Sequence, residues 1–317
     1  MTMYAKDDIR SRLATAPAPV REGIDASTPI KPSQWIAFHD QEPSEVSDVG
    51  SRTWIARAAN LVIAYSEAKA GDVFARDDQP DEYAVLMYSD SAPLRVTAGA
   101  PADASGASAS SPSSVEVDEE AFVVVPPGPS TIEVLADGPV IRVFSTVDEG
   151  LRTSALNVDA YDSPDLRAAP LEPWPDPVGG FALRVYRLAD TPIAEGRFGR
   201  IFRTTTLMVN FLAEEPGPRD AHKLSPHHHD DFEQISFGVK GTFVHHIRYP
   251  WGPDSASWRD DEHREIGTPS ICIIPPPTVH TTQGVGEHQQ LLDIFSPPRH
   301  DFSASGWVLN ADDYPAA

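Results

Sequence analysis

The chain has 317 residues, more than one small domain needs, so two domains with separate cores are expected. It carries 25 Lys and Arg against 47 Asp and Glu, a formal charge of -22. A surface of that sign repels phosphate backbones and anionic membranes, so neither nucleic acid nor membrane is expected as a partner. A small anionic substrate stays open, because Arg, His and a metal ion in one pocket outweigh the mean surface field at short range.

Residues 1–50 are polar and punctuated by proline, with a weak helix signal near Asp7–Leu13 and one apolar knot at Trp35, Ile36 and Phe38. They read as an N-terminal arm that docks loosely. No apolar run there is long enough for a signal-peptide core or a membrane span, and the chain is read as cytoplasmic.

Over residues 51–150 the pattern changes to short runs rich in Val, Ile and Tyr, divided by Gly, Pro, Asp or Ser. Ala59–Tyr65, Tyr83–Tyr88, Leu94–Thr97, Ala121–Val125, Ile132–Leu135 and Val140–Phe144 predict short strands of a barrel or sandwich. The stretch Ala98–Ser114 is small and polar with nothing to bury, and predicts a mobile loop. Residues 151–180, dense in proline, read as an extended linker.

Strand patterns resume over residues 181–317 at Ala182–Leu188, Arg200–Phe211, Gln234–Phe237, Thr242–Tyr249, Ser270–Ile274 and Gln290–Phe295. The single cysteine, Cys272, lies in one of these apolar runs and reads as a buried, inert thiol. The halves also echo each other. The prolines after Val123–Val125 match those after Ile271–Ile274, and Asp81-Glu82-Tyr83 matches Asp231-Phe232-Glu233. Both echoes lie about 150 residues apart, which suggests an internal duplication.

Ten of the 11 histidines stand at or after His222. His227, His228 and His229 open a predicted strand. In extended backbone alternate side chains share a face, so His227 and His229 are expected together with His228 opposite, and Glu233 on the first face if the extension is unbroken. His280, after the triple proline, is the candidate for a fourth group. Imidazole and carboxylate suit divalent transition metals, and four such ligands leave room for substrate.

These residues resemble the two sequence motifs of the cupin superfamily. In the first motif, two histidines separated by one residue precede a glutamate with three or four residues in between; His227, His229 and Glu233 take those places. In the second, a proline-containing turn precedes a histidine, here Pro275 and His280. Pro277 replaces a motif glycine, and Gln283 or Gly284 stands where the motif has Asn. The resemblance implies an all-β protein of two double-stranded β-helix (jelly-roll) barrels. The N-terminal one is degenerate, since Arg76, Asp78 and Thr131 fall in the histidine places, and it is expected to hold no metal.

The resemblance further implies one divalent transition metal per chain, Fe or Mn first, with Zn or Ni as alternatives. Inward strand positions nominate Arg203, Asn210 and His245 as substrate contacts, Arg203 as a carboxylate clamp, and Gln234 and Gln283 are added because they flank ligands. Three functions stay open. The first is a dioxygenase acting on a small carboxylate, enol or catechol-like molecule, the second a non-redox isomerase, lyase or decarboxylase, and the third a non-catalytic ligand-binding protein. A homodimer is the expected assembly.

Overall fold

The computed structural model describes residues 23–99 and 112–317. The helix signal at Asp7–Leu13 and most of the predicted loop between Ala98 and Ser114 lie outside the described residues. The first half contains β1 (Gln34–Ala37), β2 (Glu45–Val46), β3 (Arg52–Arg57), β4 (Leu61–Ala68), β5 (Val73–Gln79) and β6 (Tyr83–Met87). It continues with β7 (Leu94–Ala98), β8 (Ser113–Val117), β9 (Ala121–Val125), β10 (Gly128–Val134), β11 (Gly138–Ser145) and the short helix α1 (Glu149–Thr153). The second half contains β12 (Arg184–Arg187), β13 (Gly199–Arg203), β14 (Met208–Leu212), β15 (Glu233–Lys240) and β16 (Thr242–Arg248). It ends with β17 (Glu262–Gly267), β18 (Ser270–Ile274), β19 (Val279–Gly284), β20 (Gln290–Ser296) and α2 (His300–Ala304). Among the described residues no helix is long and apolar enough to cross a membrane.

Each half is a barrel of two facing sheets. In the N-terminal barrel a seven-stranded sheet, β12-β9-β6-β11-β4-β3-β2, faces the four-stranded β5-β10-β7-β8. In the C-terminal barrel the six-stranded β1-β18-β15-β20-β14-β13 faces the three-stranded β17-β16-β19. The two larger sheets pack on each other through one apolar core that joins Trp54, Tyr65 and Phe122 to Phe202, Phe211 and Phe237. Strands β6, β9 and β18 are therefore buried on both faces, and every residue in them is buried. β16 lies on a small outer sheet with one wet face, and its buried positions alternate. The polar strands β5, β17 and β19 escaped the sequence reading for this reason.

Two expectations change. The run Arg200–Phe211 is not one strand but the hairpin β13–β14, turning over residues 204–207. The arm does not dock loosely: β1 pairs in register with β18 of the C-terminal barrel, and Phe38 is fully buried between the large sheets. Reciprocally, β12 of the second half pairs with β9 of the first. Residues 151–180, expected as an extended linker, bury Asp165, Arg167 and Trp174.

The exchange of strands is part of a pseudo-two-fold arrangement that reaches into the loops. Asn157 accepts from the Arg57 amide through Oδ1 and donates to the Arg57 carbonyl through Nδ2. Asn310 does the same to the amide and carbonyl of Arg203. Four residues later Tyr161 donates to Glu233 at 2.9 Å and Tyr314 donates to Glu82 at 2.7 Å. The sequence carries this as Leu156-Asn157-Val158-Asp159-Ala160-Tyr161 and Leu309-Asn310-Ala311-Asp312-Asp313-Tyr314, a repeat the strand-based reading passed over.

Candidate metal centre

His227, His229 and His280 each present a ring nitrogen, and these atoms lie within 4.8 Å of one another. Reciprocal backbone hydrogen bonds of 3.0 and 2.7 Å hold His227 beside His280. The Nδ1 atoms of His227 and His280 contact the carbonyls of Ser225 and Thr278, each at 2.9 Å, so Nδ1 carries the proton and Nε2 presents its lone pair to the centre. His229 is fixed by stacking on Phe232, with ring centroids 4.3 Å apart. Burial holds the pKa of His229 well below the ordinary imidazole value, helped by Arg299, His227 and His280. Burial likewise brings His280 down to about 4. Both rings are thus neutral near pH 7, the form that binds metal.

The fourth position is not taken by Glu233. Its carboxylate accepts from the Ala59 amide at 2.5 Å and from Tyr161 at 2.9 Å, on the face of β15 that meets the other barrel. Burial and the neighbouring Asp165 carboxylate push its pKa up. The cause is a bend at Asp230–Asp231, which interrupts the extended run and shifts the alternation by one residue. Gln234 turns inward instead, its Oε1 2.9 Å from His229 Nε2 and 3.4 Å from His280 Nε2. Its Nε2 donates to Ser236 Oγ at 2.8 Å and to Asp293 Oδ1 at 3.0 Å, which aims the amide oxygen at the histidines. Gln234 falls at the longer of the two spacings the cupin motif allows, so the signal was present in the sequence. Three imidazoles and an oriented amide oxygen, converging on one place, fit a divalent transition metal.

The remaining nominated residues divide. His245, buried on β16, contacts Thr282 Oγ1 at 3.0 Å through Nδ1 and pairs one inward step along the ladder from His280. Burial, with His280 and His246 nearby, lowers its pKa to about 3. Asn210 lies on the inward wall, opposite Asp293 in register and one strand beyond β20, and its Oδ1 has no hydrogen-bond partner. Arg203 is not in this cavity. It ends β13 and donates to the carbonyls of Thr204, Tyr314 and Pro315, with its guanidinium 4.5 Å from the Trp174 ring centre. Gln283 faces outward, where its Oε1 meets His246 Nε2 at 3.3 Å. His228 points to Asp230, away from the cluster. Cys272 is fully buried and burial pushes its thiol pKa up, as its apolar setting predicts. The sequence reading missed Phe232, Phe295 and Arg299, which wall the centre; the Arg299 guanidinium lies 5.0 Å from the Phe232 ring centre.

The N-terminal barrel repeats the frame without the ligands. Arg76 pairs with Ser130 as His227 pairs with His280, so Ser130 and not Thr131 matches the third histidine. No family model and no curated protein sequence matches the chain. Solved structures do. The oxalate decarboxylase of Lactobacillus farciminis, as its formate complex, aligns with a TM-score of 0.55 at 15% identity, over 84% of this chain and 86% of that one. The oxalate decarboxylase of Bacillus subtilis, studied for its Mn(II) centres, aligns with a TM-score of 0.53 at 15% identity, over 84% and 78%. At this identity the likeness establishes the fold, two cupin barrels in one chain.

Proposed function

We propose that the chain is a metal-dependent cupin enzyme acting on a small organic carboxylate by non-redox lyase or decarboxylase chemistry. The observation that carries this is the donor set, His227, His229, His280 and the Gln234 amide oxygen, gathered in one place. A divalent ion held there supplies Lewis acidity, and with no anionic protein ligand its full charge is left to attract a carboxylate. The lack of an anionic ligand also favours the divalent state over a higher one, so the dioxygenase reading, placed first from sequence, stands second. The names of the structural neighbours, oxalate decarboxylase with Mn(II) centres, support the same order and make Mn(II) the first metal to test.

The chain's own groups then have distinct tasks. Asp293 and Ser236 hold the Gln234 amide in one orientation. Phe232 and Phe295 exclude water from the rim, which strengthens every charge interaction inside. Arg299, which is paired with Asp301, sits close enough for its charge to oppose protonation of His229 and His280. His245, neutral and one ladder step from His280, lines the interior beside the centre as a polar group placed to orient a bound substrate.

The test is to reconstitute purified protein with Mn(II), Fe(II) or Zn(II) and screen small mono- and dicarboxylates for CO2 release and oxygen uptake. Turnover without oxygen uptake is expected. Stoichiometric oxygen consumption would return the dioxygenase reading to first place, and tight carboxylate binding without turnover would leave a binding protein.

A further inference from the structure

The N-terminal barrel has its own opening, a cavity of about 260 Å³ between the edge strands of its two sheets. Arg142, Arg76, Phe74, Phe144, Ile55 and Leu151 are among its walls. Arg142 belongs to the barrel interior: it is 9% exposed, and in register it faces Val85 on β6 as Asp293 faces Ser236 on β15. Its guanidinium lies 3.9 Å from the Phe74 ring centre, and Nη2 donates to Ser66 Oγ at 3.1 Å. Its Nε is buried with no hydrogen-bond partner.

Among the described residues no carboxylate lies within 4.0 Å of Arg142. Two other carboxylates line the cavity but are otherwise committed. Asp72 accepts from Ser47 Oγ at 2.7 Å and from the Val73 amide at 2.8 Å, and Glu45 is exposed on β2. Arg76 is engaged by Asp148 and by Gln79. Burial lowers the Arg142 pKa to about 10, which still leaves a cation at neutral pH. Glu45 and Asp72 act on this cation only from a distance, and a buried guanidinium with no carboxylate in contact is costly, while the planar fork of its N–H groups matches a carboxylate.

We propose that this cavity binds a small organic carboxylate, with Arg142 as its principal anchor, Arg76 beside it and the aromatic and aliphatic walls around a short hydrocarbon tail. The placement explains why these residues stand here. Arg76 occupies the position of His227, and Arg142 that of Asp293. One barrel gathers imidazoles suited to a cation, while the other presents the Arg142 guanidinium, suited to an anion. The proposal does not depend on the metal reading.

Calorimetric titration of the full chain with acetate, butyrate and inorganic phosphate at constant ionic strength tests it. Butyrate should bind, more tightly than acetate, and equally well to the H280A variant, which separates this cavity from the metal centre. R142Q should weaken binding at least tenfold, and R142K, which keeps the charge but loses the fork, should fall between. L151W, which narrows the cavity and leaves both arginines in place, should weaken it as well and serves if R142Q does not fold. Native-like binding by R142Q or L151W, binding of phosphate but of neither carboxylate, or no binding by the native chain at tens of millimolar would each overturn the proposal.

Discussion

Tyr83 and Gln234 hold matching places at the start of β6 and β15, and they do opposite things. The Tyr83 ring lies inside its barrel, stacked on Phe144 with centroids 4.8 Å apart, and its hydroxyl meets Ser130 Oγ at 3.0 Å. In the other barrel the matching side chain is a short amide, and the Ser130 position holds His280. An aromatic ring thus fills the place of the histidine cluster in one interior, while the amide leaves room for three imidazoles in the other. The outward faces of the same strands do not differ in this way. Ala84 and Leu86, like Ile235 and Phe237, join the core between the two large sheets. The comparison teaches that the shared apolar face holds the molecule together, and that the inward face of either barrel is free to carry different chemistry.

The most damaging test of that separation is removal of a ligand. H229A or H280A should lower metal affinity by at least roughly tenfold and abolish metal-dependent activity, with the far-UV circular dichroism unchanged. Metal analysis of the native chain should give one ion per chain, since Arg76, Ser130 and Tyr83 stand in the matching places. Two ions per chain, or collapse of the fold in both variants, would break the division between a site-bearing face and a structural one.

Next in size is Gln234. Q234L keeps much of the volume and removes the oriented oxygen, so metal affinity should fall by about tenfold. Q234E should retain metal and bind it more tightly, because an anionic oxygen replaces a neutral one on the same anchor. If Q234L binds metal like the native chain while E233Q loses it, the assignment of these two neighbours is reversed.

Glu82 and Glu233 test the comparison from the outward face, where the barrels are alike. Glu82 accepts from the Thr205 amide and hydroxyl at 3.1 Å and from Tyr314, while Glu233 accepts from the Ala59 amide and Tyr161. Each carboxylate reaches from one barrel into the other. E82A and E233A leave buried donors unsatisfied, and each should cost about 1–3 kcal/mol in chemical denaturation. Metal content should stay at the native level in both. Loss of metal from E233A alone would mean that the interface sets the geometry of the centre.

Much of this was legible in the sequence, and the failures share a cause. The His227, His229 and His280 signal is local and survives any error of a residue or two elsewhere. Glu233 was assigned by carrying a period of two through Asp230–Asp231, where the chain bends, so the phase slipped and the amide next to it was passed over. Arg203 was read as inward because Arg200–Phe211 looked continuous; the turn at 204–207 places it at a strand end against the C-terminal segment instead. The Asn157 and Asn310 clamps lay in segments without strand character. A search for internal repeats in place of periodicity finds them, since both follow leucine and precede tyrosine by four residues.

The smallest expected effect falls on Gln283, and it sharpens the boundary between inside and outside on one strand. On β19 the inward residues are His280 and Thr282, paired with Ile247 and His245, whereas Gln283 pairs with Val244 and meets His246 on the outer face. Q283A removes one partly exposed hydrogen bond and no inward group. Stability should change by less than about 0.5 kcal/mol, and metal content and turnover should stay at native values. H245Q, on the inward face opposite Thr282, should lower turnover while metal is retained, because its imidazole is buried and neutral beside the centre. Measured together, the two substitutions ask whether inward register alone decides which polar residues of this sheet matter. A loss of turnover in Q283A equal to that in H245Q would show that it does not.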